Sequence, residues 1–287
     1  MEVIVLTIFD RTKPSSTPVF RRRATAGRAG CATLAGVHSQ RIGIRRLRVT
    51  RRAYLTTLAA VFGVLWIALA IAPLHRSDWL LENVLLLLGV AGLVATSRVF
   101  PLSCISYTTL FVFFCLHTIG AHYTYSEVPY DQAVQRWFGF SIDELFGWER
   151  NNFDRVVHFS YGLLLAYPIR EVFLRIASVR GFWGYFLPLD LTMSTSMLYE
   201  LIEWGAAAGF GGDLGAAFLG SQGDIWDAQK DMALASLGAL ITMTIAACVN
   251  IAYQRDFARE WADSFRIRSN EPLGEVAIAR MRSEATP

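Results

Sequence analysis

Charge is what this chain has least of. Only 18% of its 287 residues are Asp, Glu, Lys or Arg, against about 25% in an ordinary soluble domain. The deficit excludes a conventional water-soluble fold, because long apolar runs produce it: 53% of the residues are hydrophobic and the mean hydropathy is +0.35. Cysteine is sparse as well. Cys31, Cys104, Cys115 and Cys248 fall in the basic leader or inside hydrophobic segments, so they supply neither a disulfide framework nor a CxxC metal pattern. A phosphate-cradling glycine loop is missing too, since Gly209, Gly211 and Gly212 follow an apolar span with no strand before them. They mark a re-entrant or interfacial turn. Nor does the first long apolar run end in a small-residue cleavage site, which argues against a secretory signal. What remains is an integral membrane protein.

Six segments are long enough to cross a bilayer, which takes about 20 predominantly apolar residues. They run approximately Tyr54–Leu74, Trp79–Ser97, Leu102–His122, Phe153–Leu174, Phe182–Glu203 and Asp231–Tyr253. The expected fold class is therefore all-α: a polytopic membrane protein of about six transmembrane helices. Residues 1–52 form a basic leader, expected to lack stable structure, with a start codon placed too far upstream as the alternative. Residues 53–253 form the membrane domain, and 254–287 a charged tail.

Orientation follows from the basic residues. Residues 1–52 hold 12 of the 27 Lys+Arg. With the N-terminus inside, the cytoplasmic segments carry 22 and the outer segments five: Arg76, Arg136, Arg150, Arg155 and Lys230. The positive-inside rule then places both termini in the cytoplasm. Beside a membrane helix, the leader reads as a topology signal or an anionic-lipid contact rather than a nucleic-acid site.

That orientation gathers the polar residues at the outer face. Asp154 and His158 open the fourth span at i, i+4; Glu200 and Glu203 close the fifth at i, i+3; His122 ends the third. Asp224, Asp227 and Asp231 lead into the sixth, and on a helix all three share one face. Ionisable groups at membrane depth normally face a bundle interior or a wet cavity. His158, Asp154, Glu200 and Glu203 are the candidate catalytic groups, and His122, Asp224, Asp227 and Asp231 the candidate metal ligands. Oxygen ligands alone suit magnesium, calcium or manganese, whereas the histidines admit zinc or iron. The structural alternative is an inter-helix clamp in which Arg150, Arg155 and Lys230 pair with the acids. Against it, the outer side carries 14 Asp+Glu and five Lys+Arg. His117, on another helix face than His122, reads as a hydrogen-bonded core or pore-lining group, and Asp190 after Pro188 as a kink residue in preference to a step in a proton or ion path. Trp137, Trp148, Trp204 and Trp226 form an interfacial aromatic belt.

Four motifs resemble one family. They are His122-Tyr123-Thr124-Tyr125, Asn151-Asn152-Phe153-Asp154-Arg155-Val156-Val157-His158-Phe159, Tyr199-Glu200-Leu201-Ile202-Glu203-Trp204, and Gly223-Asp224-Ile225-Trp226-Asp227-Ala228-Gln229-Lys230-Asp231-Met232. Together, over roughly 75–253, they are similar to the YjdF-like bacterial inner-membrane proteins, a resemblance that implies the membrane but brings no reaction with it. A looser likeness of pattern is to VanZ-like membrane proteins. Three function classes stay open: a metal-assisted enzyme on a lipid or envelope substrate, a cation or proton transporter, and a non-catalytic scaffold.

Overall fold

The computed structural model describes residues 32–210, 221–254, 256–267 and 272–284, with the side chains of 32–49, 210 and 273 excepted. The chain divides into two compact units, 1–50 and 51–287. Within the first, the described residues are helical from Ala32 onward. The rest of the leader lies outside the described residues.

The described elements are all helical: α1 (Ala32–Ala70), α2 (Arg76–Thr96), α3 (Cys104–His122), α4 (Tyr130–Phe138), α5 (Ile142–Phe146), α6 (Phe153–Arg175), α7 (Trp183–Phe210), α8 (Asp227–Tyr253), α9 (Phe257–Asp263) and α10 (Leu273–Glu284). Four segments have the length and composition of membrane spans: Thr50–Ala70 of α1, then α2, α3 and α8. The other two expected spans, α6 and α7, form as helices of 23 and 28 residues. Both carry polar groups of the interior, Asp154 and His158 on α6 and Glu200 and Glu203 on α7.

The second unit is built inside out relative to a soluble protein. Its largest fully buried side chains include Asn83, Thr118, Thr192, Asp231, Ser106 and Ser196, while Val64, Ile67, Leu88 and Val94 are exposed. Lipid tails solvate aliphatic side chains as well as a core would, so close packing and internal hydrogen bonds hold such helices together. On α2 the buried stripe is Asp78, Trp79, Glu82, Asn83 and Leu86, at helical spacing. Its Asn83 accepts a 2.7 Å hydrogen bond from Trp66 Nε1 on α1.

α6 is the central element, packed against α3, α7 and α8. Its crossing with α8 is made backbone to backbone at Gly162 and Gly238, where an added Cβ would run into the facing main chain. Thr242 Oγ1 donates to Leu163 O across the same seam at 2.6 Å. At the other end of α6, Glu171 accepts from Ser103 N at 2.9 Å and from Ser106 Oγ at 2.6 Å, fixing the first turn of α3. Pro188 does not break α7, and Thr192 Oγ1, one turn on, donates to the Pro188 carbonyl at 2.7 Å. Asp190, two residues on, is exposed and lies outside the buried polar set.

Candidate functional site

The first turn of α6, the middle of α7 and the first turns of α8 meet at one end of the bundle. Two layers of polar side chains form there. The upper one is an ion-pair lattice. Arg150 Nη1 donates to Asp227 Oδ1 at 2.5 Å and to Ser221 O at 3.0 Å. Arg155 Nη2 pairs with Asp224 and lies 3.3 Å from Asp227 Oδ1, and Lys230 Nζ reaches Asp224 Oδ2 at 2.5 Å. Asn151 and Gln222 add a reciprocal pair of bonds, at 3.1 and 3.0 Å. The ammonium of Lys230, then the Trp226 amide and the Arg155 guanidinium, hold the Asp224 carboxyl down at about 2. An open cleft of about 510 Å³ is lined by Trp148, Arg150, Arg155, Gln222 and Asp224 among others.

This layer revises two expectations. Helix α8 begins at Asp227, so Asp224 sits in the preceding turn and does not share a helix face with the other two aspartates. Asp224 and Asp227 face guanidinium groups rather than the histidine, and the clamp of Arg150, Arg155 and Lys230 is formed. His122 is also apart. Its Nδ1 lies 2.7 Å from Leu69 O, and its ring stands edge-on to Tyr123.

Beneath the lattice lies a second layer, short of cations. His158 Nε2 sits 3.5 Å from Asp154 Oδ1 and 3.5 Å from Glu200 Oε1. One donor atom from each of Asp154, His158 and Asp231 lies within 4.8 Å of the others. Asp231 is 2% exposed, and neither its Oδ1 nor Glu200 Oε1 has a hydrogen-bond partner. Unpartnered buried carboxylate oxygens are costly and rare. Glu203 is within electrostatic reach of Asp154, Glu200 and Asp231. Of the eight site residues expected from the sequence, five converge here: Asp154, His158, Glu200, Glu203 and Asp231.

A third group was missed. Tyr199 OH donates to Glu82 Oε2 at 3.0 Å and the Tyr199 ring stands edge-on to His158, with centroids 5.9 Å apart. His117 Nε2 faces the Glu82 carbonyl at 3.0 Å, and Tyr125 OH lies 2.6 Å from His117 Nδ1. A carbonyl only accepts, so in the neutral ring Nε2 carries the hydrogen and Nδ1 accepts from the tyrosine. Tyr125 reaches His117 because Thr124 and Tyr125 both adopt φ of 55°, folding the chain back so that the ring covers Gly120. The signal for Glu82 was present in the sequence: Asp78, Glu82 and Leu86 lie at i, i+4, i+8 within an otherwise apolar span.

The sequence model of a family of predicted membrane proteins (DUF2238) matches residues 54–251. The chain belongs to that family. It is also 37% identical over 212 residues to the inner membrane protein YjdF of Escherichia coli (strain K12), a match that covers 73% of this chain and 97% of the relative. No solved structure matches. The YjdF-like resemblance is thus shown, and the DUF2238 segment contains every residue of both polar layers. As a DUF2238 member, the chain is a multi-pass membrane protein, all-helical among the described residues, and its Escherichia coli relative is an inner membrane protein.

Proposed function

We propose that the lower layer is a divalent-cation centre, held by Asp154, His158 and Asp231 with Glu200 beside them, which serves chemistry on a lipid or envelope substrate. The observation that carries this reading is the convergence of three donor atoms within 4.8 Å, next to two buried carboxylate oxygens that accept no hydrogen bond. A small positive ion offsets like charges that the bundle otherwise holds against one another. One imidazole among carboxylates favours zinc, manganese or iron over calcium. A bound ion would supply Lewis-acid charge and a more acidic water. Glu203, within electrostatic reach of the cluster on α7, would be the proton-handling group in this reading. With the outer side assigned from the basic residues, the centre opens toward the outer face of the inner membrane.

The upper layer carries a second, structural reading. Its acids are matched by Arg150, Arg155 and Lys230, so Asp224 and Asp227 tie the segment before α8 to the start of α6. This clamp is the part of the scaffold reading that a specific observation favours.

Elemental analysis of the full chain, purified in mild detergent, tests the proposal. The expected result is about one divalent ion per chain, lost in Asp231→Asn while the variant elutes as the same species. Wild-type protein that carries no ion and takes up none from added zinc or manganese overturns the metal reading. Uptake of the same ion into proteoliposomes would move the cluster to the transporter class instead.

A further inference from the structure

The connection between α3 and α6 carries an element that the cation centre does not use. α4 presents Tyr130, Ala133, Val134, Trp137 and Phe138 at i, i+3, i+4, i+7 and i+8, with Asp131, Gln132, Gln135 and Arg136 on the other side. This is the pattern of a helix lying along an apolar boundary. Trp137 is 82% exposed and Phe138 74%, and in the α5 segment Leu145 is 69% and Phe146 63% exposed. These are large side chains left bare on a chain that buries serine, threonine and aspartate.

The arm is built, not loose. Asp131 caps α5, accepting from Ser141 Oγ at 2.9 Å and from the amides of Ile142 and Asp143 at 2.6 and 3.1 Å. Those amides, the Asp143 one foremost, hold its carboxyl below the ordinary range. Tyr130 OH donates to Asp143 Oδ1 at 2.6 Å and accepts from Asn152 N at 3.2 Å. Burial and the Asp143 carboxylate push the Tyr130 hydroxyl up to about 12. The Tyr130 ring stacks on Phe153, the first residue of α6. The pair α4–α5 is thereby fixed to the end of the bundle at which α6 begins, where Trp204 and Trp226 are exposed as well.

We infer that α4–α5 is an interfacial arm whose Trp137–Phe138 and Leu145–Phe146 edge is seated in the lipid at the membrane surface. Continuity selects this occupant over a second copy or another protein. The arm is attached at the end of spans whose own outward faces are bare aliphatic surface, and aromatic side chains at span ends lie at headgroup depth. The consequence for the cleft is positional: Trp148, at the close of the arm, lines it beside Arg150 and Arg155, so the cleft opens where lipid headgroups lie. The arm needs no ion at the cation centre, and its test is separate from that of the metal.

The experiment uses the full chain with its four cysteines replaced, spin-labelled singly through Phe138→Cys, Leu145→Cys, Gln132→Cys or Gln135→Cys, in phosphatidylethanolamine–phosphatidylglycerol nanodiscs. Power saturation is expected to give labels at 138 and 145 a several-fold higher ratio of oxygen to nickel-chelate collisions than labels at 132 and 135. High nickel access at all four positions overturns the arm, placing it in water. Low access of both reagents at 138 and 145 also overturns it, assigning the face to a protein contact. Should the cysteine-free chain not fold, brominated lipid and the natural tryptophans provide an equivalent readout. Trp137→Phe is expected to remove part of the lipid-quenched fluorescence, and an unchanged quenched fraction refutes the insertion.

Discussion

A methyl group at Gly162 is the smallest change that should pull the candidate centre apart. A Cβ built there lies 1.8 Å from the Ala235 carbonyl oxygen and 2.7 Å from Ala239 N, both main-chain atoms that no rotamer change can move. Ordinary contact begins near 3.4 Å, so α6 and α8 must part by about 1.6 Å at this point. His158 lies one turn from Gly162 and Asp231 one turn from Ala235, so the gap opens between the donors that now lie within 4.8 Å. Metal–ligand distances tolerate only about 0.2 Å. Gly162→Ala should therefore weaken cation binding on the order of 10–100-fold, the scale for losing an orienting group, and cost about 1–3 kcal/mol through overpacking. The control is Gly92→Ala on α2, whose Cβ meets nothing within 4 Å and which should be neutral or stabilising by about 0.5–1 kcal/mol. The assay is cation content and thermal midpoint of the monodisperse fraction in detergent. A Gly162→Ala protein with both at wild-type values would falsify the close-crossing argument.

The Asp231→Asn protein described above should lose its ion and keep its fold. For the clamp, Asp224 has a folded value of about 2, below its unfolded value of about 3.9. Its stabilising contribution is complete above the latter and disappears as pH falls toward the former. Thermal midpoints measured between pH 5 and pH 2, in roughly that window, should fall less steeply for Asp224→Asn than for wild type, and parallel curves would refute the pairing. Tyr199→Phe removes the hydroxyl that donates to Glu82 Oε2 and should cost about 1–3 kcal/mol, read as a lower midpoint. An unchanged midpoint would mean that another donor serves Glu82.

The membrane class and most helix positions are legible in the sequence because lipid imposes length and apolarity directly. Asp154 and His158 are legible as a pair because i, i+4 spacing fixes their relation whatever surrounds the helix, and Glu200 and Glu203 follow in the same way. The partners of Asp224 and Asp227 are not legible. Arg150 and Arg155 lie some seventy residues away in the chain, and the turn before Asp227 takes Asp224 off the helical face that its spacing suggests. Glu82 is an intermediate case. In a soluble protein a polar stripe marks the solvent side, but in a bilayer it marks the buried side. On α2, Asp78, Glu82 and Asn83 are buried while Leu85, Leu87 and Leu88 are exposed. With the sign reversed in this way, the stripe points at the centre.

The Thr124–Tyr125 corner has a mechanical consequence. Two successive non-glycine residues at positive φ cost about 1–3 kcal/mol each, and a conformation of that kind lasts only while its surroundings hold it. Here the restraints are the Tyr125 amide bonded to Gly120 O at 2.8 Å, the ring seated over Gly120 and against the Val128–Phe153–Val157 cluster, and the hydroxyl on His117. The corner leads from α3 into the α4–α5 arm, and its partner His117 also faces the carbonyl of Glu82, whose carboxylate accepts from Tyr199. The Tyr125–His117 contact thus joins the chain entering the α4–α5 arm to the polar interior between α2 and α3.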